Sequence, residues 1–182
     1  VVLTGAHFFD TDLNCRFGDL DTVVATVLST STLRCVTPPS PTLGWVPLKL
    51  VSYSTTLSAG LTYEYYAELT VSNGGFGEGG HPGVYPVHGP TTGGTIVNVV
   101  GQNLVSSLLA MCRFGSPDYD VPARYTNAGT YECASPGHHP GIIYLEISAN
   151  GQQFSTSEAQ YEYYPPVTVT AIFPYRGTSE GG

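Results

Sequence analysis

The 182-residue chain reads as all-β, two β-sandwiches in tandem. Three observations predict this. Apolar residues come in short β-branched runs closed by turn residues. No window keeps a 3.6-residue apolar period, and 14 prolines break any long helix. The chain also repeats itself at about half its length.

The repeat rests on anchors that recur in one order. Cys15-Arg16-Phe17-Gly18 returns as Cys112-Arg113-Phe114-Gly115, 97 residues on. Arg34-Cys35-Val36-Thr37-Pro38 returns as Glu132-Cys133-Ala134-Ser135-Pro136, 98 residues on. Tyr63-Glu64-Tyr65-Tyr66 returns as Tyr161-Glu162-Tyr163-Tyr164 at the same spacing, and Val2-Leu3-Thr4-Gly5 matches Asn98-Val99-Val100-Gly101. At the seams, Pro86 to Gly93-Gly94 matches Pro174 to Gly181-Gly182, only 88 residues on. The shortfall lies in the Gly-rich stretch 72–83, read as a surface insertion present once. The phase makes residues 1–66 a domain lacking its first strand and 67–165 a complete domain. Residues 166–182 are then the first strand of a next unit, so the array is cut inside a domain.

Individual strands follow from local pattern. Thr95 to Gly101 is a β-branched run ending at Gly, and Ile142 to Ser148 continues into Asn150-Gly151, a strong hairpin signal. Val167, Val169, Ala171 and Phe173 alternate with Thr168, Thr170 and Ile172, the period of a strand. Turns every 8–12 residues and about seven short strands per unit fit a sandwich.

Charge excludes several functions. Six Lys and Arg against 14 Asp and Glu give a net charge of -8, with a single lysine at Lys49. Nucleic acid and anionic membrane surfaces both need clustered cations, so neither is an expected partner. No apolar run approaches a membrane span of ~18 residues.

The ordered series Pro-x-x-Gly-x-x-x-Gly-Gly-Thr, β-run to Gly, Cys-x-Phe-Gly, Cys-x-[Thr/Ser]-Pro and closing aromatic strand resembles the IPT/TIG family of immunoglobulin-like domains. The resemblance runs from Pro86 to Tyr164 and from Val1 to Tyr66, with 166–182 matching the opening strand; His88-Gly89-Pro90 departs from the usual spacing. It implies tandem immunoglobulin-like sandwiches. Gly93-Gly94 suits the turn between the first two strands, because Gly reaches positive φ without cost. Four cysteines allow three connectivities, and the repeat favours Cys15–Cys35 and Cys112–Cys133. Such bonds persist outside the cytosol, which places the chain in an extracellular, secreted or cell-surface setting.

Constellations for chemistry are sparse. The sequence has no Gly-x-Ser-x-Gly elbow, phosphate-binding Gly-Lys-[Ser/Thr] loop or His-Glu-x-x-His, so no enzyme, cofactor or metal centre is expected. Asp19 and Asp21, with Asp118 and Asp120 at the same place in the second unit, could ligate calcium. Calcium wants six or more oxygens and no third acid follows closely, so a solvated turn is the preferred reading. His138-His139 reads as a solvent loop. The closing strands carry Tyr63 and Tyr65, or Tyr161 and Tyr163, on one face, and an acid with an aromatic (Glu64 and Tyr66, Glu162 and Tyr164) on the other. One face of each must be core; for the other, packing between consecutive domains is the preferred reading, with sugar stacking as the alternative. No Asn-x-[Ser/Thr] sequon occurs, but Thr30, Thr32, Thr37, Pro38, Pro39, Ser40, Pro41 and Thr42 make candidate O-glycosylation segments.

The expected function is the structural repeat of an extracellular filament, stalk or adhesive appendage. Its partners would be neighbouring copies joined through Val167, Val169, Ala171 and Phe173, either in one covalent array, the favoured form, or by strand donation. Glycans are a further expected partner. The alternatives are a spacer or ligand-binding segment of a receptor ectodomain, as in plexins, or accessory domains of a secreted polysaccharide-processing enzyme. The transcription-factor branch of the family is disfavoured by the charge and by the expected disulfides.

Overall fold

The computed structural model describes residues 1–9, 12–53, 55–58, 60–72 and 83–181. The expected insertion, apart from Ser72 and Gly83, lies outside the described residues. The chain forms two compact units, Val1–Ala67 and Glu68–Gly182.

Among the described residues unit 1 contains eight strands: β1 (Val2–Thr4), β2 (Leu13–Phe17), β3 (Val23–Val24), β4 (Thr26–Ser29), β5 (Thr32–Arg34), β6 (Gly44–Ser52), β7 (Thr55–Thr56) and β8 (Leu61–Tyr65). One sheet has the order β1-β5-β4 and the other β3-β2-β6-β7, with β8 also on β6. Strand β2 shows why these residues face inward. Leu13, Cys15 and Phe17 are buried while Arg16 between them is exposed, the two-residue alternation of a half-buried strand. They meet Leu3, Leu33, Leu48 and Leu50 in one core.

Unit 2 contains β9 (Thr70–Val71), β10 (Val84–Tyr85), β11 (His88–Pro90), β12 (Ile96–Val99), β13 (Gly101–Gln102), β14 (Met111–Phe114), β15 (Asp120–Tyr125), β16 (Tyr131–Ala134), β17 (Gly141–Ser148) and β18 (Gln160–Tyr164). Eight of these follow the path β10-β12-β16-β15-β14-β17-β18-β11, and β13 pairs with β9. Strand β15 changes partner midway: Asp120 to Pro122 pair with β14, and Ala123 to Tyr125 with β16. One strand thereby stitches the two layers together. The only helical element described is a 3-10 turn at Pro117–Tyr119, and no helix among the described residues is long and apolar enough to cross a membrane.

Disulfides join Cys15 to Cys35 and Cys112 to Cys133, each with Cα atoms 6.3 Å apart. All four cysteines are buried, and each pair links the two layers of its own unit. Gly93 and Gly94 have φ of +76° and +84°, as the turn between β11 and β12 demands. A side chain at Gly93 would also start 2.6 Å from the Pro136 carbonyl carbon, whereas Gly94 has open space around it.

Three expectations change in detail. The run at 95–101 is broken at Val100 into β12 and β13, each with its own partner. Asn150-Gly151 does turn: the Asn150 side-chain oxygen accepts from the Gln152 and Gln153 amides. No tight hairpin follows, because residues 149–159 loop out before β18, with Ser155 bonded back to Ile147. Residues 165–180 form no strand in the single chain.

Closing a loop of about 20 residues stabilises a fold by about 3 kcal/mol through the unfolded chain. Replacing Cys112 and Cys133 together by Ser is therefore expected to lower unit 2 by about 3 kcal/mol, read from urea unfolding. Gly93→Ala should cost more than Gly94→Ala, because only the first adds a collision to the roughly 1–3 kcal/mol of left-handed strain. Equal losses would remove the packing argument for Gly93.

Candidate functional site

The closing strand of each unit is its aromatic centre. In unit 2 the Tyr161 and Tyr163 rings pack edge-on at 5.0 Å, and both meet Phe114, at 5.5 and 6.3 Å. In unit 1 Tyr63 and Tyr65 do the same with Phe17, at 5.2 and 6.4 Å. Tyr161 and Tyr163 are buried in the core, and Tyr63 and Tyr65 are half-buried against it, so this is the inward face of each strand.

Hydroxyl partners differ between the units. Tyr65 donates to the Pro38 carbonyl at 3.0 Å. In unit 2 the counterpart Tyr163 has no hydrogen-bond partner among the described residues, and neither does Tyr161. Burial first, then the neighbouring Tyr161, push the Tyr163 phenol well above its ordinary value, with the Ser135 hydroxyl opposing. That hydroxyl also accepts from the Thr95 amide at 3.1 Å. His138 stacks on Tyr163 at 4.8 Å and 20°, and lies 4.3 Å from Tyr119. The expected solvent loop is therefore corrected at His138, which packs as part of the aromatic cluster; His139 is exposed.

The paired acids do not converge. Asp120 takes a two-point bond from Arg113, at 2.8 and 3.0 Å, and Arg113 also covers the Phe154 ring at 3.6 Å. Asp120 is thus committed to an ion pair, and no metal-sized cluster of ligands occurs among the described residues. In unit 1 the equivalent Arg16 faces Lys49 across the strands, where Arg113 faces Glu146. Among the candidate glycosylation residues, Thr30, Pro39, Pro41 and Thr42 are exposed. Thr32, Thr37, Pro38 and Ser40 are half-buried, and the Ser40 hydroxyl donates to the Thr42 carbonyl at 2.8 Å.

The most distinctive surface is a cleft in unit 1, which sequence reasoning did not locate. It encloses about 480 Å³ and is lined by Leu3, Gly5, Phe8, Leu13, Leu50 and Leu57, among others. Unit 2 shows what its counterpart holds. There Val84 pairs with Val99, the counterpart of Leu3. Val71 pairs with Gly101, the counterpart of Gly5. Leu69, Val71 and Val84 are all buried there, at 4%, 5% and 2% exposure. On the far layer β11 runs parallel to β18: the Glu162 amide donates to Val87 O, and the Thr91 amide to Tyr164 O, both at 2.9 Å. In unit 1 β8 has only β6 beside it among the described residues. The signal for this cleft lies in the tail, where Val167-Thr168-Val169 echoes Leu69-Thr70-Val71. Val167, Val169, Ala171 and Phe173 are exposed, Val167 at 85% and Phe173 at 92%, and pair with no strand in the single chain.

The fold and these repeated cores define an immunoglobulin-like tandem, and the comparisons name its class. The IPT/TIG domain model matches residues 1–65 and 82–163, so the chain belongs to the IPT/TIG domain family. Human plexin-A3 is 32% identical over 107 residues, 54% of this chain and 6% of plexin-A3. Calmodulin-binding transcription activator 6 of Arabidopsis thaliana is 42% identical over 48 residues, 26% of this chain and 5% of that protein. The chain thus spans a small part of the relatives it matches. Among solved structures, the full extracellular region of plexin A4 matches 99% of this chain and 17% of its own, with a TM-score of 0.59 at 15% identity, a likeness of fold. As IPT/TIG domains, the two units are structural, non-enzymatic modules.

Tyr65→Phe removes a bonded hydroxyl and should destabilise unit 1 by about 1 kcal/mol. Tyr163→Phe removes an unbonded one and should change unit 2 by less than about 0.5 kcal/mol in either direction. The folded state holds Tyr163 protonated above its ordinary value, so that stability is complete below about pH 10 and falls as pH rises further. Tyr163→Phe should flatten this alkaline limb; an unchanged limb would exclude Tyr163 as its source.

Proposed function

We propose that the chain is a spacer segment of an extracellular, receptor-type ectodomain, built from tandem IPT/TIG domains. The observation that carries this is the tandem itself: two disulfide-closed units of one family in immediate succession. Likeness to plexin-A3, and in fold to the plexin A4 extracellular region, supports the receptor reading over the filament expected from sequence. Buried disulfides support a location outside the cytosol. Recognition then belongs to other parts of the protein.

Thiol trapping on the native protein tests this reading. Intact cells are treated with a membrane-impermeant biotin reagent and then with an alkylating agent, with and without prior reduction. Surface labelling, with all four cysteines alkylated only after reduction, is the expected result. Free thiols in an intracellular pool would overturn it.

A second reading, the repeat of an extracellular filament or stalk, has one observation in its favour. Residues 174–182 restate 86–94, so the sequence begins another unit. Fibres in electron micrographs of native material, with sugar on Thr30 or Thr42, would favour that reading.

A further inference from the structure

Position for position, unit 2 neutralises a charge that unit 1 leaves open. Arg113 on β14 stands opposite Glu146 on β17 and Asp120 on β15, and it forms ion pairs with both. Its counterpart Arg16 stands opposite Lys49. The register also brings Thr22 to the place of Asp120, because Val23 lies opposite Cys15 as Val121 lies opposite Cys112. Neither acid of unit 2 has an acidic counterpart here, and one of them is matched by a second cation. We propose that the outer face of β2 and β6 in unit 1 binds a sulfated polysaccharide. Arg16 and Lys49 hold a sulfate group, and Trp45 stacks on a sugar ring.

The charges come first. Residues directly opposite on neighbouring antiparallel strands have Cα atoms about 4.5–5.5 Å apart. Like charges placed so destabilise a sheet. Arg16 and Lys49 are both exposed, and neither forms an ion pair among the described residues. This holds although acids outnumber cations 14 to 6 in the chain, and although Asp19 and Asp21 lie in the turn after β2. An anion shared by the guanidinium and the ammonium turns that repulsion into attraction. A sulfate ester has acceptor oxygens for both donors and stays ionised at any physiological pH.

The aromatic part lies in the same row. Trp45, Pro47 and Lys49 alternate outward along β6, and all three are exposed. Trp45 and Lys49 are thereby about 13 Å apart along the strand. Trp45 is the chain's only tryptophan and is 69% exposed. Its counterpart Ile142 is 65% exposed in unit 2, where β11 runs beside β18. Exposure at this position therefore does not depend on a further strand at the sheet edge. An indole on an open sheet offers its flat apolar face to the C–H face of a sugar ring. Strand β6 has β2 on one side and β7 on the other, so this face offers a peptide no free edge to extend. Binding here goes beyond the spacer reading and does not rest on it.

The test titrates the oxidised full chain with heparin fragments and reads the fluorescence of Trp45, excited selectively. Saturable change is expected with heparin, and little with uncharged dextran, with hyaluronan, whose only charges are carboxylates, or with a DNA duplex. Calorimetry then gives affinities for two variants, each carrying the unit 2 residue. Lys49→Glu gives Arg16 an ion-pair partner, so it should unfold in urea no earlier than wild type and yet bind heparin about tenfold more weakly or worse. Trp45→Ile keeps the charges and should bind several-fold more weakly. Heparin that binds no better than dextran overturns the proposal, as does a folded Lys49→Glu or Trp45→Ile variant that binds like wild type. Equal binding of hyaluronan or of DNA would show a surface that takes any polyanion, and overturns the assignment to a sulfated sugar. The thiol-trapping result is unaffected by any of these outcomes.

Discussion

Each unit depends on one alternation, Cys-x-Phe, held by a strand in the middle of a layer. Because Cβ atoms alternate, the cysteine and the phenylalanine two residues later must face the same side. The sulfur then reaches across to the other layer, and the ring meets the two tyrosines of the closing strand. A slip of one residue in β2 or β14 would turn both outward together. The covalent bridge and the aromatic cluster therefore enforce the same register from two sides. The glycine that follows in both copies, with φ of +61° at Gly18 and +87° at Gly115, then turns the chain out of the strand.

The two units share this frame and differ at its margins. Unit 2 carries an opening segment along both layers and commits its charges locally, with Arg113 held between Asp120 and Glu146. In unit 1 β8 pairs with β6 alone among the described residues, and Arg16 faces Lys49, so like charges stand opposite one another on an otherwise acidic chain. Its tyrosine cluster is only half-buried, whereas Tyr161 and Tyr163 are fully enclosed.

Much of this was legible in the sequence. The all-β tandem, the disulfide pairing favoured by the repeat and the glycine turn at Gly93-Gly94 all follow from spacing, because strand period and φ preference are local properties. What was not legible depends on shape. His138 reads as a loop residue because nothing in Pro136-Gly137-His138 says that the loop folds onto Tyr163. The break at Val100 arises because two different segments compete for partners on either side of it. The unit 1 cleft is a volume bounded by residues from several segments, and no single stretch of sequence encodes a volume. Its trace in the sequence is the echo of Leu69-Thr70-Val71 in Val167-Thr168-Val169.

The disulfides also set a mechanical limit. A chain that bears load from end to end lengthens when a domain gives way, by about 3.3–3.6 Å for each residue released. The segment from Cys112 to Cys133, with a sequence separation of 21, lies inside a covalent loop and cannot be drawn out. On the order of 70 Å of contour is thereby withheld from unit 2, and a comparable length from unit 1. Under tension each unit would yield a shorter tether than its residue count implies, and oxidation state would set how far the chain extends.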